Sequence, residues 1–278
     1  MFDKVAQTNV LIEDCYAEAN GQDECIAINP SDQITESGVV NAIIRNCRLV
    51  NKFNNGKGSN SAGLISLHPN TEQTLISDGN TIIFNISIEN CVLKAVGAAT
   101  NVARFYASQG TAIYLRCNDT QFNYSGSFPF PDRKNVQSGM VLLHKNTSLP
   151  CSFVFRGCVF EGDYILSYQH MNWDSGEVLF SNCMFNCKSF VRSNNKIASR
   201  RLQNAKFVDC DFKFLQTPFV FGIGAPVFEK CNFFCPNESL SFSDDSMDSL
   251  PVVMKNVRLN GVKLPDRDKL THDSYYNE

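Results

Sequence analysis

Few residue types in this chain could do chemistry. Of the four histidines, His68, His144, His170 and His272, no two stand at metal-ligand spacing. Each is expected to be a strand-end or surface imidazole, and no metal site is read from them. Tyr168, His170 and the sole tryptophan, Trp173, cluster in the segment YQHMNWDSG. An aromatic ring in a polar loop can stack on a sugar or anchor a partner, and it can also fold back over its own coil edge. Tyr168 and Trp173 are therefore candidate substrate-binding residues. Twelve cysteines suggest disulfides or metal, yet they lack the paired CxxC spacing of zinc sites. No glycine-rich phosphate loop or dinucleotide turn occurs, so no cofactor is indicated.

The elements that must position these residues follow from composition and repeat. The chain has 278 residues, 43% hydrophobic and 19% charged, with a net charge of −3. That composition predicts a folded protein of one large or two small domains. No stretch approaches the roughly 18 apolar residues of a membrane helix, and Met1 to Asn9 has no apolar signal core. Neither a membrane partner nor signal-dependent export is expected. Lys plus Arg at 25 against Asp plus Glu at 28 gives no basic excess, which argues against nucleic acid. With 22 phenylalanines, one tryptophan and 16 glycines, the core should consist of many small, similar layers.

Nine copies of one pattern align on Cys15, Cys47, Cys91, Thr120, Cys158, Cys183, Cys210, Cys231 and Val257. Two residues after every anchor, and three before it, the residue is apolar. Immediately before the anchor stand Asp14, Asn46, Asn90, Asp119, Gly157, Asn182, Asp209, Lys230 and Asn256, of which eight are turn-forming types. Two short strands therefore meet at a bend that slips the alternation by one residue. A further apolar strand follows each of the first eight copies, beginning with Cys25 to Ile28, Leu64 to Leu67 and Val102 to Tyr106 and ending with Phe219 to Ile223 and Leu240 to Phe242. Anchor spacings run from 21 residues (Cys210 to Cys231) to 44 (Cys47 to Cys91), so the longer coils carry insertions.

Three strands per coil, Asn or Asp at a tight turn and no helical periodicity predict an all-β fold, a right-handed parallel β-helix of about nine coils, over residues 1–264. A leucine-rich repeat would need a Leu framework that is absent. Residues 265–278 are expected to be a polar tail. Stacked anchors make the cysteines an interior ladder of free thiols, which fits folding in a reducing compartment.

The segment Asn9 to Ile28, NVLIEDCYAEANGQDECIAI, resembles the polygalacturonase family of pectinases, where an NVxIxNC coil runs into Asp-Asp-Cys-Ile-Ala-Ile. The resemblance covers roughly residues 2 to 107 and implies that Asp23 and Glu24 are the catalytic pair. Neighbouring carboxylates can supply the acid and base of glycoside hydrolysis, because each perturbs the other's pKa. The family's Gly-His-Gly falls on Ser61-Ala62-Gly63, so Ala62 replaces the histidine. Its Arg-Ile-Lys, which binds substrate carboxylate, corresponds to Arg104-Phe105-Tyr106. Arg104 and Tyr106 are thereby candidate substrate-binding residues, and the remaining Asn-Thr-Asp motif would precede Phe2.

This incomplete set predicts a polysaccharide-recognising β-helix with weak or no hydrolysis, part of a larger or oligomeric assembly. Phage tailspikes use the same fold in this way. The rival is an active glycosidase or lyase that draws on Glu161, Asp163 or Asp174, and a purely structural spacer is the third reading. Expected partners are a polysaccharide and another domain, chain or symmetry mate at the N-terminal end, because Val5 to Ile12 opens the first coil with no helix over its edge.

Overall fold

A computed structural model describes residues 7–19, 24–28, 33–34, 36–53, 64–67, 75–76, 79–97, 101–125, 140–145, 147–169, 176–191, 205–214, 226–236, 239–241, 253–267 and 274–276. The first strands of the nine coils, from Gln7–Glu13 to Val253–Lys255, pair in chain order as one parallel nine-stranded wall. The second strands, from Tyr16–Ala19 to Arg258–Leu259, form a second parallel wall in the same order. A third wall stacks Ile26–Ile28, Ile65–Leu67, Ala103–Ala107 and Val141–Lys145. It then joins Val159–Gln169, which runs from the second wall into the third without a break. Each strand of these three walls pairs in parallel with the same wall of the adjacent coil, which makes this a parallel β-solenoid. Eight intervals at about 4.8 Å give a rod roughly 40 Å long.

The bend before each anchor is left-handed in every coil. All nine residues from Asp14 to Asn256 have positive φ, between 48° and 62°. Asp, Asn and Gly tolerate that conformation, so their recurrence is a backbone requirement. The amide hydrogen of Asn46 Nδ2 reaches Asp14 Oδ1 at 3.0 Å, and Asn90 Nδ2 reaches Asn46 Oδ1 at 3.0 Å, tying three successive turns together.

Eight of the nine anchors, all but Val257, carry a small side chain with a donor. The thiols of Cys47, Cys91, Cys158, Cys183, Cys210 and Cys231 each lie within reach of two acceptors, the carbonyl two residues back at 3.1 to 3.5 Å and the carbonyl three residues before the previous anchor at 3.4 to 3.6 Å. At Thr120 the hydroxyl donates to Asn118 O at 2.9 Å and accepts from the Cys91 N–H. The cysteines are free, and burial pushes the Cys183, Cys187 and Cys231 thiols well above their usual range.

Inside the rod two phenylalanine columns interlock. Phe155, Phe180, Phe207 and Phe228 stack at 4.8 to 5.0 Å within 19° of parallel. Phe122, Phe160, Phe185, Phe212 and Phe233 stack at 4.6 to 5.0 Å in the second wall. Edge-on contacts join the columns, as between Phe180 and Phe185 at 5.5 Å. In coils 1 to 3 the same positions hold Ile12, Ile44, Ile88 and Ala17, Leu49, Leu93.

The two ends of the rod differ. The Arg258–Leu259 and Val262–Lys263 strands form a hairpin, and Met254 and Arg267 exchange backbone hydrogen bonds across the last coil. Within the tail, Ser274–Tyr276 pairs antiparallel with Ser239–Ser241, so a strand forms where one was expected from Leu240 on, but it pairs with the tail rather than with a coil. That choice depends on a partner more than 30 residues away and leaves no mark on local alternation. The strand expected at Phe219 to Ile223 lies outside the described residues. In the first coil Val10, Ile12, Ala17, Cys25 and Ile26 are only partly buried, while their neighbours Ala42, Ile44, Leu49, Leu64 and Ile65 are 0 to 1% exposed.

Candidate functional site

The third wall holds Arg104, Tyr106 and Tyr168 of the residues singled out from the sequence. Arg104 lies in register with Ser66 of the coil before it, and Ser66 with Ala27. Its guanidinium stands over the Tyr106 ring, 5.3 Å from the centroid, and donates to the Tyr106 hydroxyl at 3.4 Å. Tyr106 is 6% exposed, so its ring is mostly spent on this contact and its surroundings. Ser66 Oγ and Arg104 Nε are both buried without a hydrogen-bond partner, in adjacent coils of the same wall. Burying such groups unsatisfied costs about 1–3 kcal/mol each.

Glu24 is half-buried and precedes this wall, two residues before Ile26. By coil spacing and strand rise it sits roughly 14 Å from Arg104 along the wall. The next residue, Cys25, packs partly buried against the core: its S–H points to Val50 O at 3.8 Å, and burial raises its pKa. Asp23, Ala62, Trp173, Asp174, His68, His170 and His272 lie outside the described residues. The backbone of Tyr168 is in register with Leu143, and through it with Phe105, so that residue joins the third wall two coils beyond Arg104. Among the alternative carboxylates, Glu161 accepts from Asn123 Nδ2 at 2.8 Å and from Asn186 Nδ2 at 3.3 Å, the lateral links of a surface ladder.

The outer face of the first wall carries polar and aromatic side chains beside two clefts, most of them not singled out from the sequence. Asn41 Nδ2 donates to Asn9 Oδ1 at 2.8 Å and Asn85 Nδ2 to Asn41 Oδ1 at 2.9 Å, and Tyr114 is next in the column. Tyr114 is 36% exposed and borders a cleft of about 510 Å³ with Ile43, Ser87 and Arg116. A second cleft, about 660 Å³, runs beside the turns and contains Arg45, Glu89, Asp119 and Arg156. Arg45 donates to Glu13 at 2.7 Å, and that bond holds its guanidinium above the ordinary pKa. Apart from the turn residue Asp119, these residues stand two, four and six positions before the anchors, so their shared signal is the outward alternation of the repeat.

No protein family, curated relative or solved structure matches this chain.

Proposed function

We propose that this chain is a polysaccharide-recognising, pectinase-like β-helix that works within a larger or oligomeric assembly such as a phage tailspike, with weak or no hydrolysis by the pectinase mechanism. The observation that carries this reading is the pair of buried, unpartnered polar atoms on Ser66 and Arg104. They sit side by side in the wall where the resemblance expects the sugar, and a hydroxyl or carboxylate of a glycan would supply the missing acceptor and donor. Weak hydrolysis follows from the incomplete set, with Ala62 where the family has histidine.

The test is a panel of neutral and acidic polysaccharides, scored for binding and for release of reducing ends or unsaturated products. Binding should be measurable, Arg104→Ala should weaken acidic sugars, and any cleavage should vanish in the double variant Asp23→Asn, Glu24→Gln. A protein that binds none of the panel rejects the reading.

A further inference from the structure

The first wall offers a binding surface that the third-wall reading does not use. On the strand Thr111–Asn118, Ile113, Leu115 and Cys117 are in the core, so Tyr114 and Arg116 point outward. Arg116 is in register with Val154, and Arg156 stands two residues beyond Val154 on the same outward face. Strand spacing and rise put the two arginine Cα atoms about 8 Å apart. Both side chains are exposed, and among the described residues neither guanidinium has an ion-pair or hydrogen-bond partner, unlike Arg45 with Glu13. Asn85 spends its amide hydrogen on Asn41, which leaves its oxygen as an acceptor where the ladder meets Tyr114.

We infer that this face binds an acidic saccharide. An exposed tyrosine ring supplies a platform for a sugar face, the Asn85 oxygen accepts from a hydroxyl, and two free guanidinium groups take carboxylate or sulfate in fork geometry. Among the described residues Glu89 makes no ion pair with either of them; its carboxylate accepts from Ser87 at 2.6 Å, and its backbone lies in register between Arg45 and Asn118. The attraction is local. The chain as a whole carries −3, and two arginines beside one ring make no extended basic track of the kind a nucleic acid strand needs. The inference shares the polysaccharide reading but places a second site on another wall and names its charge.

The experiment titrates the full chain with fluorescent uronate, sialate and sulfated oligosaccharides, a neutral methyl-esterified uronate, and a single-stranded oligonucleotide. At least one acidic probe should bind, and its neutral ester should bind about tenfold or more weakly. Arg116→Gln and Arg156→Gln should each lower acidic-probe affinity about tenfold, while Tyr114→Ala lowers acidic and ester binding alike. Unchanged thermal unfolding of these surface variants excludes misfolding as the cause. Acidic-sugar binding that survives both glutamine variants but is lost in Arg104→Ala overturns this site and leaves the third-wall reading standing. Binding of no acidic probe, or a preference for the oligonucleotide, overturns the inference outright.

Discussion

The Asp119 carboxylate reaches across the coil boundary into the space beside the Gly157 Cα, so a Cβ on residue 157 would meet Asp119 Oδ1. Gly157 is the only glycine among the nine left-handed turn residues, and it stands where the Asn and Asp column would otherwise crowd its neighbour. Gly157→Ala should cost about 1–3 kcal/mol, the sum of left-handed strain and this collision. In an Asp119→Gly background the cost should fall by at least about 0.5 kcal/mol. Strictly additive losses in denaturant melts would mean that the contact carries no energy.

At the opposite extreme of fit stands Lys230, a long side chain held at φ 54° where the other coils use Asp, Asn or Gly. Its N–H still donates to Lys255 O at 2.8 Å, so only the residue type is out of place. Replacing Lys230 by Asn should stabilise the protein by about 0.5–1 kcal/mol, visible as a higher melting temperature. An unchanged or lower value would show that Lys230 makes compensating surface contacts.

Phe180 lies between Phe155 at 4.8 Å and Phe207 at 5.0 Å and touches Phe160 and Phe185 edge-on. The coil spacing is fixed by backbone hydrogen bonds, so the walls cannot collapse into a hole left there. Phe180→Ala is expected to cost about 3–5 kcal/mol, and Phe207→Ala the same. An outward change such as Leu179→Ser should stay within about 1 kcal/mol. Equal thermal shifts for the inward and outward variants would refute the column.

Thiol chemistry checks the cysteine ladder separately. Under denaturing, non-reducing conditions all 12 cysteines should titrate as free thiols, and in the folded protein Cys15 should react first because it alone is exposed. Burial pushes Cys235 up to about 11. An acid whose folded pKa lies above its unfolded value of about 8.5 supports folding below the unfolded pKa and loses that support as pH rises toward the folded one. Stability should therefore be flat near neutrality and decline from about pH 8.5 to 11. A melting temperature that holds constant through pH 10.5 contradicts this.

The fold was legible because its determinants recur. Nine apolar pairs and nine turn residues repeat in one frame, and a parallel solenoid puts every copy beside the next, so sequence alignment and spatial stacking coincide. What sits outside the frame was harder to read. Ser239–Ser241 found an antiparallel partner in Ser274–Tyr276, a long-range pairing that no local pattern marks. The Tyr114, Arg116 and Arg156 face stayed hidden for another reason: outward side chains change type from coil to coil, and 40 residues separate Arg116 from Arg156 along the chain. Arg104 and Tyr106 were named from the motif they resemble, but their mutual stacking and the burial of Tyr106 depend on tertiary surroundings that residue types do not encode.

Among the described residues, the first-wall strand of the first coil has no partner on its outer edge. That strand, Gln7–Glu13, pairs with Gly38–Arg45 on one side, and its inward residues Val10 and Ile12 are more exposed than any registered successor. Leu11 at 57% and Tyr16 at 63% exposure widen the apolar margin. An open strand edge with half-covered apolar stack ends favours association, either with another β-coil or with a second copy of this chain. The purified protein should therefore show a concentration-dependent rise in mass by light scattering. Lysine at Val10 together with lysine at Leu11 should suppress it, since charge on an edge blocks strand addition. A monomer at all concentrations, with the amides of Val10 to Ile12 protected from exchange and no partner present, would show that this edge is satisfied within the chain.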